Sequence, residues 1–117
     1  MKMTSEQSDL IERIRALLTE ESLIREVSMF GGISVMVNEK MIVSALKDGA
    51  LLVRVDADRH RELLNLPGAS QAVMGAGREM GPGWIKVEAA ALRGDEQLSA
   101  WVEEAMAYNL VVTGGNP

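Results

Sequence analysis

The stretch GISVMVNEKMIVSALKDGALLVRV, residues 32–55, decides the fold. Ile33, Val35 and Val37 alternate with Ser34, Met36 and Asn38, and Met41, Val43 and Ala45 then alternate with Ile42, Ser44 and Leu46. Alternation of period two places successive side chains on opposite faces of a strand, so two strands are predicted, joined by a short turn around Asn38, Glu39 and Lys40. Lys47-Asp48-Gly49 is a second turn signal, because glycine accepts positive φ without steric cost. The run Leu51-Leu52-Val53-Arg54-Val55 follows it as a third strand. Such short connections join antiparallel neighbours, so the three strands read as a meander.

Upstream, Leu10, Ile11, Ile14, Leu17 and Leu18 fall on one helical face, while Glu12, Arg13, Arg15 and Glu20 fall outside it. An amphipathic helix is predicted from about Ser5 to about Ser22, with Thr4 and Gln7 forming a capping box over its first turn. Downstream, a short helix is predicted from Asp56 or Asp58, carrying Leu63 and Leu64 inward and stopping before Pro67-Gly68. A weak strand around Gln71 to Met74 leads into the glycine-rich residues 75–83, read as a long hairpin loop, and then into the strand Trp84–Glu88. A last helix is predicted with Asp95 as its N-cap, burying Leu98, Trp101, Val102, Ala105 and Met106. The order α-β-β-β-α-β-β-α implies a two-layer α+β domain, a five-stranded antiparallel sheet with helices on one face. Residues 1–110 form a single domain in this reading, and 111–117 a loose tail.

Composition narrows the chemistry. The 117 residues contain no cysteine, which removes disulfides, thiolate metal sites and cysteine nucleophiles, and cytoplasm is the expected compartment. Neither a signal peptide nor a membrane span is expected, since no run approaches about 18 apolar residues. A net charge of −5 has the wrong sign for a protein whose affinity comes from neutralising phosphates. The charge is uneven, however: 94–117 carry Asp95, Glu96, Glu103 and Glu104 without a Lys or Arg, while Arg54, Arg59, Arg61 and Arg78 fall in the middle of the chain.

No catalytic constellation emerges. His60, the single histidine, is flanked by Arg59 and Arg61 and reads as a solvated surface residue rather than a base or ligand. The glycines of 75–83 lack the Lys-Ser/Thr and following helix of a phosphate loop. Asp56 with Asp58 and Glu103 with Glu104 read as caps and polar faces, so no metal site and no cofactor are expected. Eight methionines against four aromatic residues point mainly to adaptable core packing, with an interface as the second possibility. Met29-Phe30-Gly31-Gly32 reads as an apolar pair anchoring a tight backbone feature such as a bulge, although glycine also lets a partner approach the backbone.

With that string the chain resembles the TfoX N-terminal domain family. The likeness continues in order through Val37-Asn38 before Met41, Leu52-Val53-Arg54-Val55, Pro67-Gly68-Ala69, Gly77-Arg78 with Met80, Gly83-Trp84-Ile85-Lys86-Val87, and Trp101-Val102 with Ala105. It departs from the family pattern at Val27-Ser28, at Asn38-Glu39 and in a glycine loop one residue longer at Gly81-Pro82-Gly83. The resemblance implies a secretion-chaperone-like sheet backed by helices and a role akin to the N-terminal domain of competence regulators such as TfoX/Sxy.

Three functions follow as expectations. The first is a non-enzymatic regulatory module acting through a protein partner or a homodimer, with Met29, Phe30, Gly31, Gly32, Arg54, Arg78 and Trp84 as candidate interaction residues. The second is association with nucleic acid through Arg54, Arg59, Arg61 and Arg78, which the net charge disfavours. The third is a small anionic ligand held near Gly31, Gly32, Arg54 and Arg78.

Overall fold

The computed structural model describes residues 4–19, 24–29, 31–74 and 77–113. Helix α1 spans Ser5–Leu17, and its capping box forms as the spacing predicts: the Gln7 amide N–H donates to Thr4 Oγ1 at 3.1 Å, and Thr4 N–H donates to Gln7 Oε1 at 3.0 Å. The same two side chains dock the helix, Thr4 Oγ1 donating to Lys47 O and the buried Gln7 Nε2 to Ala45 O. The helix ends earlier than predicted, so Leu17 is exposed while Leu18, at the C-cap, is buried. Residues 20–22, the last part of the predicted helix, lie outside the described residues.

The predicted meander is present as β2 (Gly32–Val37), β3 (Lys40–Leu46) and β4 (Leu51–Arg54), all antiparallel. Asn38 and Glu39 both take positive φ, 54° and 69°, which makes the β2–β3 link a tight two-residue turn. A register shift between Val35 and Met36 leaves Ile42 as the extra residue of β3. Ile42 and Val43 therefore both enter the core, where strict alternation puts them on opposite faces.

The sheet has six strands rather than five. The additional one is β1 (Ile24–Met29), which pairs with β2 along its whole length, from Ile24 opposite Val37 to Met29 opposite Gly32. The predicted strand near 71–74 divides into β5 (Ala69–Gln71) and β6 (Val73–Met74). The glycine-rich loop contributes β7 (Arg78–Glu79), which pairs with β6 in a separate small hairpin. Strand β8 (Trp84–Val87) lies between β4 and β5, giving the order β1-β2-β3-β4-β8-β5.

Two helical pieces separate β4 from β5: a 3-10 turn at Ala57–Arg59, capped by Asp56, and α2 (His60–Leu63). A second 3-10 turn, Ala89–Leu92, precedes α3 (Asp95–Val112). Gly94, not Asp95, is the α3 N-cap; Asp95 is the first helical residue, and its carboxylate lies 3.2 Å from Arg13 of α1. Val111 and Val112, expected in a tail, are helical, and 114–117 lie outside the described residues.

Helix α1 packs on β2 and β3, α3 packs on β3 and β4, and the helices touch each other. Ile11 and Ile14 from α1, Leu98, Trp101 and Ala105 from α3, and Val35, Val43, Leu51 and Ile85 from the sheet belong to one core. Among the described residues the fold is α+β, an antiparallel sheet with three α-helices. Among the described residues no helix is long and apolar enough to cross a membrane.

Arg15 ties α1 to β1 by donating through Nε and Nη2 to the two Glu26 oxygens, both at 2.7 Å. Hydrogen bonding to Arg15 lowers the Glu26 pKa below its ordinary 4.5, outweighing partial burial, which acts in the opposite direction. A carboxyl with a depressed folded pKa contributes stability that is present above its unfolded value and lost as pH falls through the folded one. Glu26→Gln should therefore lower the thermal midpoint at neutral pH, and the gap from wild type should close as pH falls below 4.5. A gap that stays constant down to the acid limit of folding would show that the charge plays no part.

Candidate functional site

Arg54, the last residue of β4, stands opposite Trp84, the first residue of β8. Its guanidinium carbon lies 4.7 Å from the centre of the Trp84 ring and 5.0 Å from that of Tyr108 on α3. Both distances fall within cation–π range. Arg54 Nη2 also donates to the Tyr108 hydroxyl at 3.2 Å. Two of the strings that carry the family resemblance thus meet, side by side in the sheet, at one half-buried cation.

The backbone beneath that cation has to be glycine. Gly83 is buried at φ +92°, and a Cβ there would lie 2.6 Å from Arg54 Nη1 and 2.9 Å from Val55 O. Gly83 O in turn accepts from Val55 N–H at 2.8 Å. Its own N–H donates to His60 Nδ1 at 2.9 Å, which makes Nδ1 an acceptor and leaves the ring proton on Nε2. Nε2 then donates to Gln71 Oε1 at 2.8 Å, and Gln71 Nε2 donates to Gly81 O at 3.0 Å. His60 is therefore not the solvated surface residue its neighbours suggested. It is half-buried, with both ring nitrogens engaged, and holds the loop that positions Gly83 and Trp84.

Arg54, Trp84, Tyr108, Lys40, Met41, Asn109 and Val112 line a cavity of about 320 Å3. Asn109 is 2 % exposed, and its Nδ2 donates to Val37 O at 3.0 Å. A larger groove of about 500 Å3 runs between Leu66, Ala91 and Trp101, with Arg93 and Gln97 as its polar side chains.

The remaining candidate residues are placed elsewhere. Gly31 and Gly32 lie where β2 starts, beside Leu46, at the end of the sheet opposite Arg54. Four residue steps of about 3.3 Å along the strands, and two strands across, separate the two ends. Arg78 is exposed on the small hairpin of β6 and β7. The arrangement does not bring Gly31, Gly32, Arg54 and Arg78 around one ligand. Phe30 and the Met29 side chain lie outside the described residues.

The four-arginine patch is also divided. Arg59 donates to both Glu104 oxygens, at 2.9 and 2.8 Å, and to Glu62 at 3.1 Å, so its charge is neutralised within the fold. Arg54 sits against its two rings, and Arg61 and Arg78 are exposed. Among the described residues no group of three or more His, Asp or Glu side chains converges on a metal-sized site.

Tyr108 and Asn109 carried no motif, so sequence reasoning passed over both. Asn109 had one signal: it continues the Leu98, Trp101, Val102, Ala105 stripe by one more turn, and an amide on a buried stripe needs partners.

Compared with known proteins, the chain matches the model of the TfoX N-terminal domain over residues 16–108. No curated protein matches it.

Proposed function

The chain belongs to the TfoX N-terminal domain family, and from that premise we propose that it is a non-enzymatic, competence-regulator-like module that works by binding another protein chain. The observation that carries this reading is the last turn of α3. Leu110, Val111 and Val112 are 47 %, 71 % and 41 % exposed, three consecutive large apolar residues at one end of an otherwise well-packed helix. Scattered apolar residues are ordinary on a surface, but here three follow one another around the end of α3, and the last of them, Val112, lines a cavity with half-buried Arg54, Trp84 and Tyr108, a composition met at interfaces. Arg, Trp and Tyr are also the side chains that most often dominate binding energy.

The nucleic-acid reading has less support, because Arg59 is committed to Glu104 and Glu62 and the net charge is −5.

Cross-linking and co-purification from the source cell test the proposal. The wild-type chain should recover one reproducible partner or a self-dimer, and Val111→Asp should lose it while keeping the wild-type thermal midpoint, since Val111 contributes little to the core. Recovery of monomer alone, or a partner that Val111→Asp retains, would count against the interaction.

A further inference from the structure

The cavity at the Arg54 end of the sheet collects polar groups whose capacity the fold leaves unused. No carboxylate pairs with Arg54 or Lys40 among the described residues, although the chain carries seventeen acidic side chains. Tyr108 accepts a hydrogen bond from Arg54, which leaves its own hydroxyl proton available to donate. The fourth group has the opposite character: Asn109 Oδ1 is buried and accepts no hydrogen bond among the described residues. Its orientation is set by Val37 O, because turning the amide over would bring two acceptors together at 3.0 Å. Buried acceptors without a donor are rare, and this one belongs to a side chain that lines the cavity.

We propose that this cavity binds a small organic carboxylate that carries an N–H or O–H donor beside its carboxylate, as in N-acyl amino acids and hydroxy acids. The carboxylate lies against Arg54, Lys40 and the Tyr108 hydroxyl, and the adjacent donor satisfies Asn109 Oδ1. Arginine suits this role because its planar donors match a carboxylate, and the Trp84 and Tyr108 rings hold it in place. Met41, Val112 and the Trp84 ring receive the apolar remainder of the ligand. A free phosphate fits less well: it answers the cations but brings lone pairs to an oxygen that needs a donor. The volume, about 320 Å3, lies at the small end of ligand pockets, which run from about 300 to 1,000 Å3, and so favours a metabolite-sized ligand. The site shares Val112, Arg54, Trp84 and Tyr108 with the surface of the interaction reading, but its test uses the chain alone without a partner, so the two can fail separately.

Titration of the 15N-labelled full chain with N-acetyl-leucine, its methyl ester and inorganic phosphate tests the assignment by NMR. The acid should give saturable shifts at the Trp84 indole and the Asn109 side-chain amide in the millimolar range, with the ester and phosphate each at least tenfold weaker. Arg54→Gln should weaken binding of the acid at least tenfold. Lys40→Gln, at an exposed position outside the core, should weaken it several-fold with the unfolding midpoint unchanged, and so tests the site even if Arg54→Gln fails to fold. Absence of saturable shifts with the acid overturns the proposal. So does ester or phosphate binding of equal strength, or a folded Lys40→Gln chain that binds like wild type.

Discussion

Alanine at position 32 is expected to destabilise the domain by about 2–3 kcal/mol, the cost of forcing atoms into a packed site that cannot give way. A Cβ on Gly32 would stand 2.3 Å from Ala45 O, 3.0 Å from Ala45 C and 3.1 Å from Leu46 Cδ2. The first two are backbone atoms of β3, so no rotamer change relieves the clash. Moving β2 aside would disturb its pairing on both flanks, Gly32 opposite Leu46 on one side and opposite Met29 on the other. Gly31 makes the natural control. It has φ +75° but nothing within 4 Å of a built Cβ, so Gly31→Ala carries only the left-handed backbone cost of about 1–2 kcal/mol. Urea denaturation distinguishes the two. At an m of roughly 1.5 kcal/mol/M, Gly32→Ala should lower the midpoint by about 1.5–2 M with m unchanged. A Gly32→Ala chain as stable as wild type, or a larger loss from Gly31→Ala, would contradict the close contact between β2 and β3. The outcome also bears on function, because it tells whether the Gly-Gly of this string is required for packing or left free for a partner.

The elements that could be read from the sequence are those whose burial has a single period. Helix α1 announces itself by Leu10, Ile11 and Ile14 together with the Thr4–Gln7 box, and β2 to β4 by alternation between short turns. Strand β1 was hidden because its alternation is not hydrophobic. Glu26 sits opposite Val35, on the helix-covered side, and Arg15 rather than an apolar contact satisfies it there. Short-range pattern cannot distinguish such an edge strand from a polar loop, since its stabilising partner is eleven residues away. Ile42 was misplaced for a related reason: a bulge changes the parity of a strand and leaves no local mark in Met41-Ile42-Val43. The site divides in the same way. Arg54 and Trp84 were singled out through the strings they belong to, and the sheet brings them into register. The His60 clip depends on Gly83, twenty-three residues distant, and Tyr108 reaches Arg54 across fifty-four residues, so neither contact was accessible to spacing or periodicity.

The other large effect is expected at Trp101, where substitution by alanine should cost about 3–5 kcal/mol. The side chain is 4 % exposed in the middle of α3, between Leu98 and Ala105 on the face that covers the sheet. Small domains are stable by only about 5–15 kcal/mol, so the variant would retain a fraction of its reserve. The lower end of the range is favoured by a specific feature: Trp101 also walls the groove of about 500 Å3 shared with Leu66 and Ala91. Removing the indole opens the core into that groove, and water can enter part of the space, whereas a sealed void would leave its lining without contacts. Trp84→Ala provides the comparison with the same atoms deleted. Trp84 is half-buried beside Arg54, lines the smaller cavity and lies outside the main core, so its loss removes a ring from the Arg54 pocket and less buried area. Thermal melts should place Trp101→Ala lower than Trp84→Ala by on the order of 10 °C, taking roughly 4–8 °C per kcal/mol for a domain near this size. Equal midpoints for the two variants, or a loss under about 1 kcal/mol at Trp101, would mean that α3 does not seal the sheet through this residue. The role of α3 as the wall that carries both Tyr108 and Asn109 into the cavity would then have to be reconsidered with it.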